Sequence, residues 1–437
     1  MAIDARVEGA TATQPHLFGV IVAATIGNVL EWFDFLVYGF FAVTIAEVFF
    51  PNDRPGVSLL ITFGTFGLSY LVRPLGAMVV GSYTDKHGRK AGLTLSIGLM
   101  MIGTILMLVT PGYATIGLAA PVMIILARLL QGFSVGGEFG SAVAFLTEHA
   151  GDRKGFSASW QWSSTGIISI IVSLFGVTLT TLLTHDQLVS WGWRIPYIFG
   201  LLVGPAGLYI RSRMSETPEF VEGKKPESIP IGELLRNHPI PVLLAVGISI
   251  ISNSSYYLLL YIPTYGQKTL HLPAYTGFVA TLVGGVILAI FSVLAGHWSD
   301  KTSRSRIMIW MAWLFALTAY PVFWLMVAFP SLAACVFAVG FLNLIKAGYS
   351  GVLPSLLSEQ FPVETRAVGV AFSYSISVSI FGGFAPFVAT WLIAQTGDPL
   401  SPSFYLIVTA LLSVAALVVI GRRERVPAGL ATASSAG

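Results

Sequence analysis

Gly81-Ser82-Tyr83-Thr84-Asp85-Lys86-His87-Gly88-Arg89-Lys90 lies between two long apolar runs. A looser copy, Gly296-His297-Trp298-Ser299-Asp300-Lys301-Thr302-Ser303-Arg304, lies between two others. Glycine, aspartate, lysine and arginine keep their internal spacing, and each is displaced by 215 positions, close to half of the 437-residue chain. A charged loop repeated once in each half of a hydrophobic chain marks an internal duplication. Duplicated membrane chains are commonly transporters with a site between their repeats. A second register agrees: Glu148, Arg153 and Gly155 after the fourth apolar run correspond to Glu359, Arg366 and Gly369 after the tenth.

Composition sets the solvent. The chain is 55% hydrophobic and 10% charged, whereas a soluble domain averages about 25% charged residues. It lacks the polar surface to face water on all sides and reads as a membrane protein. The single Cys335 forms no internal disulfide and reads as a small buried hydrophobe. The first apolar run is too long for a cleaved signal segment and is expected to remain as a helix.

A helix needs about 20 residues to cross a ~30 Å hydrocarbon core. Runs of that kind fall near 17–46, 57–82, 91–110, 117–148, 153–184, 190–211, 239–265, 275–298, 306–328, 331–360, 365–395 and 401–421. The fold expected is an all-α membrane protein with twelve transmembrane helices in two pseudo-symmetric six-helix bundles. The domains expected are residues 1–211, a cytoplasmic linker at 212–238 with a short surface helix near Ile231–Arg236, and residues 239–437. With the N-terminus inside, eighteen of the 24 lysines and arginines fall on the inner side. Three fall outside, and Arg73, Arg128 and Lys346 lie within spans. That bias places both termini and the linker in the cytoplasm, in a bacterial inner membrane.

Gly-x-x-x-Asp-Lys-x-Gly-Arg-Lys between spans two and three, with its weaker copy between spans eight and nine, resembles the signature of the major facilitator superfamily. Finer motifs resemble its metabolite–proton symporter family: Gly27-Asn28-Val29-Leu30-Glu31-Trp32-Phe33-Asp34-Phe35, Arg73-Pro74-Leu75-Gly76, the stretch Arg128 to Glu138, Trp191-Gly192-Trp193-Arg194-Ile195-Pro196, and Glu216-Thr217-Pro218-Glu219-Phe220. Within that family, Tyr113 to Pro121, Pro263-Thr264-Tyr265-Gly266 and Phe381 to Pro386 look most like citrate–proton symporters. The resemblance implies two six-helix bundles that rock around a central cavity. It also implies proton-coupled import of an organic acid, with 2-oxoglutarate, shikimate, proline or betaine as alternative solutes.

Ionisable groups at bilayer depth are costly and mark cavities or ion paths. Counting 1.5 Å per residue places Asn28, Glu31, Asp34, Arg128 and Lys346 in the middle half of the membrane. Arg128 can hold a carboxylate through two parallel hydrogen bonds, or it pairs with an acid to hold helices together. Lys346 can take a second carboxylate from the other half, although the citrate-type pattern has a neutral residue there. Asn28, Gln161, Asn253 and Tyr256 are the neutral candidates for substrate contact. Glu31 and Asp34, three apart on one side of span one, are candidate proton carriers, as is Glu138. Fixed helix pairing is the competing reading for all three.

Arg73 is expected to snorkel from span two toward the interface as a gate or anchor. By resemblance, Asp85, Arg89, Glu148, Arg153, Asp300, Arg304, Glu359 and Arg366 form charge networks that lock the inner ends of the halves. The loss of Gly88 at Ser303 predicts a weaker second network, with Asp85→Asn more damaging than Asp300→Asn. The expected partners are a small organic acid, protons and lipid, with no nucleic acid, cofactor or metal, and the working unit is a monomer. No zinc-protease motif, phosphate-binding loop or nucleophile elbow occurs, which argues against an enzyme. A transporter-like solute sensor is the rival from another class.

Overall fold

The computed structural model describes residues 17–87, 89–135, 138–148, 150–212 and 231–425. Each of the twelve apolar runs is helical there. Eight helices are long and apolar enough to cross a bilayer by length and composition. The other four runs are bent, broken or shorter. Span one runs Leu17–Phe40, and its continuation, Ala42–Phe49, turns away by 74°. Span three is Arg89–Val109, span four divides into Ala119–Ser134 and Glu138–Glu148, and span six is Ile195–Ser212. The short helix expected before span seven is present as Ile231–Asn237.

Several breaks have local causes. Span two divides into Pro55–Leu71 and Arg73–His87, with Pro74 at the second position of the new helix. A proline there removes an N–H that lacks an intrahelical partner anyway. Span seven restarts at Ile262–Lys268 with Pro263, and span ten at Leu353–Glu359 with Pro354. Span eleven contains a π-turn at Val378–Gly382 between Arg366–Ser377 and Ala385–Thr396. Such turns free backbone groups in mid-span and are frequent at functional sites. Outward-facing Leu202, Leu243, Trp310 and Leu317 are exposed, the surface a bilayer covers.

The deepest seam runs along span five (Lys154–Leu182) and span eight (Ala274–Ser299). Gly166 sits where they cross. A Cβ there would lie 2.5 Å from the Ala289 nitrogen and 2.7 Å from the Gly285 carbonyl oxygen. Close approach lets side chains bond across the seam: Ser163 Oγ donates to the Ala289 carbonyl at 2.7 Å, and the Ser173 and Thr281 hydroxyls meet at 2.9 Å. Small residues serve this purpose where apolar burial drives nothing. Gly166→Val is expected to destabilise the detergent-solubilised protein by about 1–3 kcal/mol, the usual cost of overpacking. Thermal unfolding checks it, and an unchanged midpoint would argue against the close crossing.

Candidate functional site

Between the first six and last six spans lies a small cavity walled by Asn28, Gln161 and Thr165 and by the rings of Trp32, Phe139, Trp162, Tyr256, Tyr257 and Tyr374. Asn28 Nδ2 donates to Ser164 Oγ at 2.6 Å, and Gln161 Nε2 donates to Asn28 Oδ1 at 2.7 Å. Gln161 Oε1 is buried without a partner, while the Tyr256 and Tyr257 hydroxyls face Ser169 and Tyr70. Buried polar atoms are normally satisfied, so Gln161 Oε1 is available to a ligand. Phe139 and Tyr374 stack across the halves with centroids 3.5 Å apart. Phe278 reaches span five at the far end, and Phe41 of span one also packs on it.

Lys346 is fully buried on span ten (Leu332–Ser350). Its Nζ donates to the Ser252 carbonyl at 3.0 Å and to Ser350 Oγ at 3.2 Å, and it lies 3.9 Å from the centroid of Trp162 and 5.2 Å from that of Tyr256. It thus backs onto two rings of the cavity wall. Asn253 is also buried, but it donates to Ser377 Oγ at 3.1 Å beside the π-turn and is not part of that wall. Arg73 does not snorkel. It is 2% exposed, donates to the Val135 carbonyl at 3.2 Å and lies 4.7 Å over Trp32. The break at Val72 turns it inward, where ring faces attract a guanidinium.

Arg128 is at the depth expected but faces into the first six spans, behind the cavity wall. Phe35, Tyr38 and Phe66 surround its guanidinium at 4.5–5.4 Å. Nη1 donates to Gln131 Oε1 at 2.8 Å and Nη2 to Ser69 Oγ at 3.2 Å. Gln131 Nε2 then donates to Thr104 Oγ1 at 3.1 Å, and Thr104 donates to Asp34 Oδ2. Each of these links can point its hydrogen toward Asp34, and the Thr104 hydroxyl also meets the Met100 carbonyl at 3.0 Å. The second carboxylate oxygen, Oδ1, is buried without a partner, against Gly200 of span six. A side chain at position 200 would overlap it.

At the end of the bundle where the repeated loops lie, charged groups cross between halves. Asp300 accepts from the Gly155 and Phe156 amides at 2.6 and 2.9 Å, capping span five, and from Arg304 Nη2 at 3.0 Å. Arg304 also pairs with Glu359, and Arg366 pairs with Glu148 at 3.5 Å while donating to the Ser358 carbonyl. Arg153 is exposed, heads span five and joins no ion pair among the described residues. The side chains of Glu31, Asp85, Arg89 and Glu138 lie outside the described residues. The second loop is well built despite its missing glycine. Ser303 caps span nine (Arg304–Ala328) by accepting from the Arg306 amide, a role glycine cannot fill.

The profile of the family described as "Sugar (and other) transporter" matches residues 20–228 and 211–421. The chain belongs to this family, within the major facilitator superfamily. A citrate-proton symporter of Salmonella typhi is 36% identical over 406 residues, covering 92% of this chain and 94% of the relative. A proline/betaine transporter of Salmonella typhimurium is 34% identical over 411 residues, covering 90% and 81%. The xylose transporter XylE of E. coli, in a partially occluded inward-open conformation, superimposes with a TM-score of 0.73 at 17% identity, covering 94% and 98%. That likeness supports the twelve-span fold of an integral, multi-pass membrane protein.

Several residues of the transporter's interior were not singled out from sequence. Gln131 stands three after Arg128, on the same helix face, and that spacing was a usable signal. Trp162 adjoins Gln161, but an indole in an apolar run is ordinary. Thr104 and Gly200 carry no signal: their importance comes from spans three and six reaching Asp34.

Proposed function

We propose that this transporter is a proton-coupled symporter importing a di- or tricarboxylate, such as citrate, by alternating access between two six-span units. The observation that carries the reading is charge. Lys346, which packs on rings of the cavity wall, is fully buried and has no acidic partner among the described residues. Asp34 is the one buried carboxylate described there. A buried cation without a counter-ion is costly, and a substrate carboxylate supplies that counter-ion.

Lys346, Asn28, Gln161 and Tyr256 contact the acid in this reading. Asn253 sets the span-eleven turn beside it. Arg128 acts from behind the wall, passing the protonation state of Asp34 to the rings of Phe35 and Phe66. Phe35 packs 6.1 Å from Trp32, and Phe66 packs 5.8 Å from Tyr257. Glu31 and Glu138 are further proton-carrier candidates. The network of Asp300, Arg304, Glu359, Arg366 and Glu148, with Asp85, Arg89 and Arg153, closes the cytoplasmic end in a bacterial inner membrane.

Proteoliposomes under an inward proton gradient are expected to accumulate labelled citrate or a related acid, with unlabelled acids competing. Uptake indifferent to the gradient would remove the coupling. A proline or betaine carrier is the second reading, favoured by the aromatic cavity wall and the 34% identical relative. Competition by glycine betaine and not by acids would establish it.

A further inference from the structure

Six rings form most of the cavity wall. An aromatic wall of this kind suits a quaternary ammonium, which cannot donate a hydrogen bond and is held by ring faces. Trp162 and Tyr256 make its best corner, edge to face with centroids 5.7 Å apart. Both rings already carry a cation, held outside the residues that line the cavity. Lys346 Nζ lies over both rings, fixed from behind by the Ser252 carbonyl and the Ser350 hydroxyl. The two serine hydroxyls are themselves 2.7 Å apart, so the seat is a connected polar cluster on spans seven and ten. Arg73 occupies a face of Trp32 in the same way.

We propose that Lys346 is a tethered cation held against the aromatic wall of the cavity, and so selects anionic acids against betaine-type zwitterions. The inference rests on the carboxylate reading above and adds the element that excludes the competing class. Two effects act together. A ligand ammonium entering the corner meets a like charge with little water to screen it. A ligand carboxylate meets a cation that has no acidic partner among the described residues. Selectivity built on repulsion of the wrong ligand as well as attraction of the right one is general.

The test uses purified full-length protein with citrate, 2-oxoglutarate and glycine betaine as probes, read by thermal shift and by uptake into proteoliposomes. Lys346→Met keeps the length of the side chain and removes the charge, whereas Lys346→Arg keeps the charge. Wild type is expected to respond to an acid and not to glycine betaine. Lys346→Met is expected to lose acid affinity by about tenfold or more, the ratio that ~1.4 kcal/mol makes, and to gain a response to glycine betaine. Lys346→Arg keeps the wild-type preference. A folded Lys346→Met protein that still prefers the acid and ignores glycine betaine overturns the inference alone. So does a Lys346→Arg protein that behaves like Lys346→Met. A wild type that responds to glycine betaine and to no acid overturns the carboxylate reading, and this inference with it. If the Met variant is not monodisperse, Lys346→Gln takes its place under the same criteria.

Discussion

Asp34→Asn is expected to abolish proton-driven accumulation while leaving exchange of internal for external substrate. Asp34 is 5% exposed and terminates the relay Arg128–Gln131–Thr104–Asp34. All three donors in that relay can point toward the carboxylate. Protonation removes the charge that Thr104 addresses and adds a hydrogen that needs an acceptor. The Thr104 hydroxyl also meets the Met100 carbonyl at 3.0 Å, so it can turn there and accept from a protonated Asp34, which reverses the last link of the chain leading back to Arg128 among Phe35, Tyr38 and Phe66. Two of those rings pack on cavity-wall residues, Phe35 on Trp32 and Phe66 on Tyr257. Asparagine fixes one charge state and so breaks the cycle, but it leaves the cavity-wall groups in place. In proteoliposomes, Asp34→Asn should bring labelled substrate to equilibrium and no further, at a rate insensitive to pH. Accumulation against a gradient by this variant would move proton carriage to Glu31 or Glu138.

The relay also shows where the sequence stops informing. Depth along a helix is a one-dimensional quantity, counted at 1.5 Å per residue. The same counting found the spans, because a bilayer fixes their length. Azimuth is different: span four is apolar on several sides, so the sequence does not say whether Arg128 faces the cavity or its own bundle. Asn28 and Gln161 were both legible as polar groups at mid-depth, yet their mutual hydrogen bonds join positions 133 residues apart. Gly200 was invisible because its function is to be absent beside Asp34. The inward turn of Arg73 depends on a helix break at Val72, and Pro74 marks that break without giving its direction. Lys346 was conspicuous as a charge, but its ring partner Trp162 comes from the other half of the chain. Loop charges fared better, because a repeated aspartate and arginine at fixed spacing carry their geometry with them.

Asp300→Asn is expected to weaken closure at the basic end of the bundle and to slow transport severely. The loop around Ser303 holds Asp300 through several contacts. Asp300 is nearly buried, and its two oxygens accept from two successive amides at the start of span five as well as from Arg304. A carboxylate at a helix N-terminus answers both the unsatisfied N–H groups and the positive end of the dipole. Asparagine has one acceptor oxygen, so in either orientation its NH₂ faces an amide donor or the guanidinium. Charge-assisted bonds are worth about 1.5–3 kcal/mol each, so losing one with its ion pair shifts closure by about 3 kcal/mol, roughly a hundredfold. Because the bond joins span five to the loop after span eight, the loss falls on the closed arrangement and not on either half alone. Hydrogen exchange at the Gly155 and Phe156 amides should quicken in Asp300→Asn, with uptake falling in parallel. Unchanged exchange at those two amides would show that the cap does not hold the halves together.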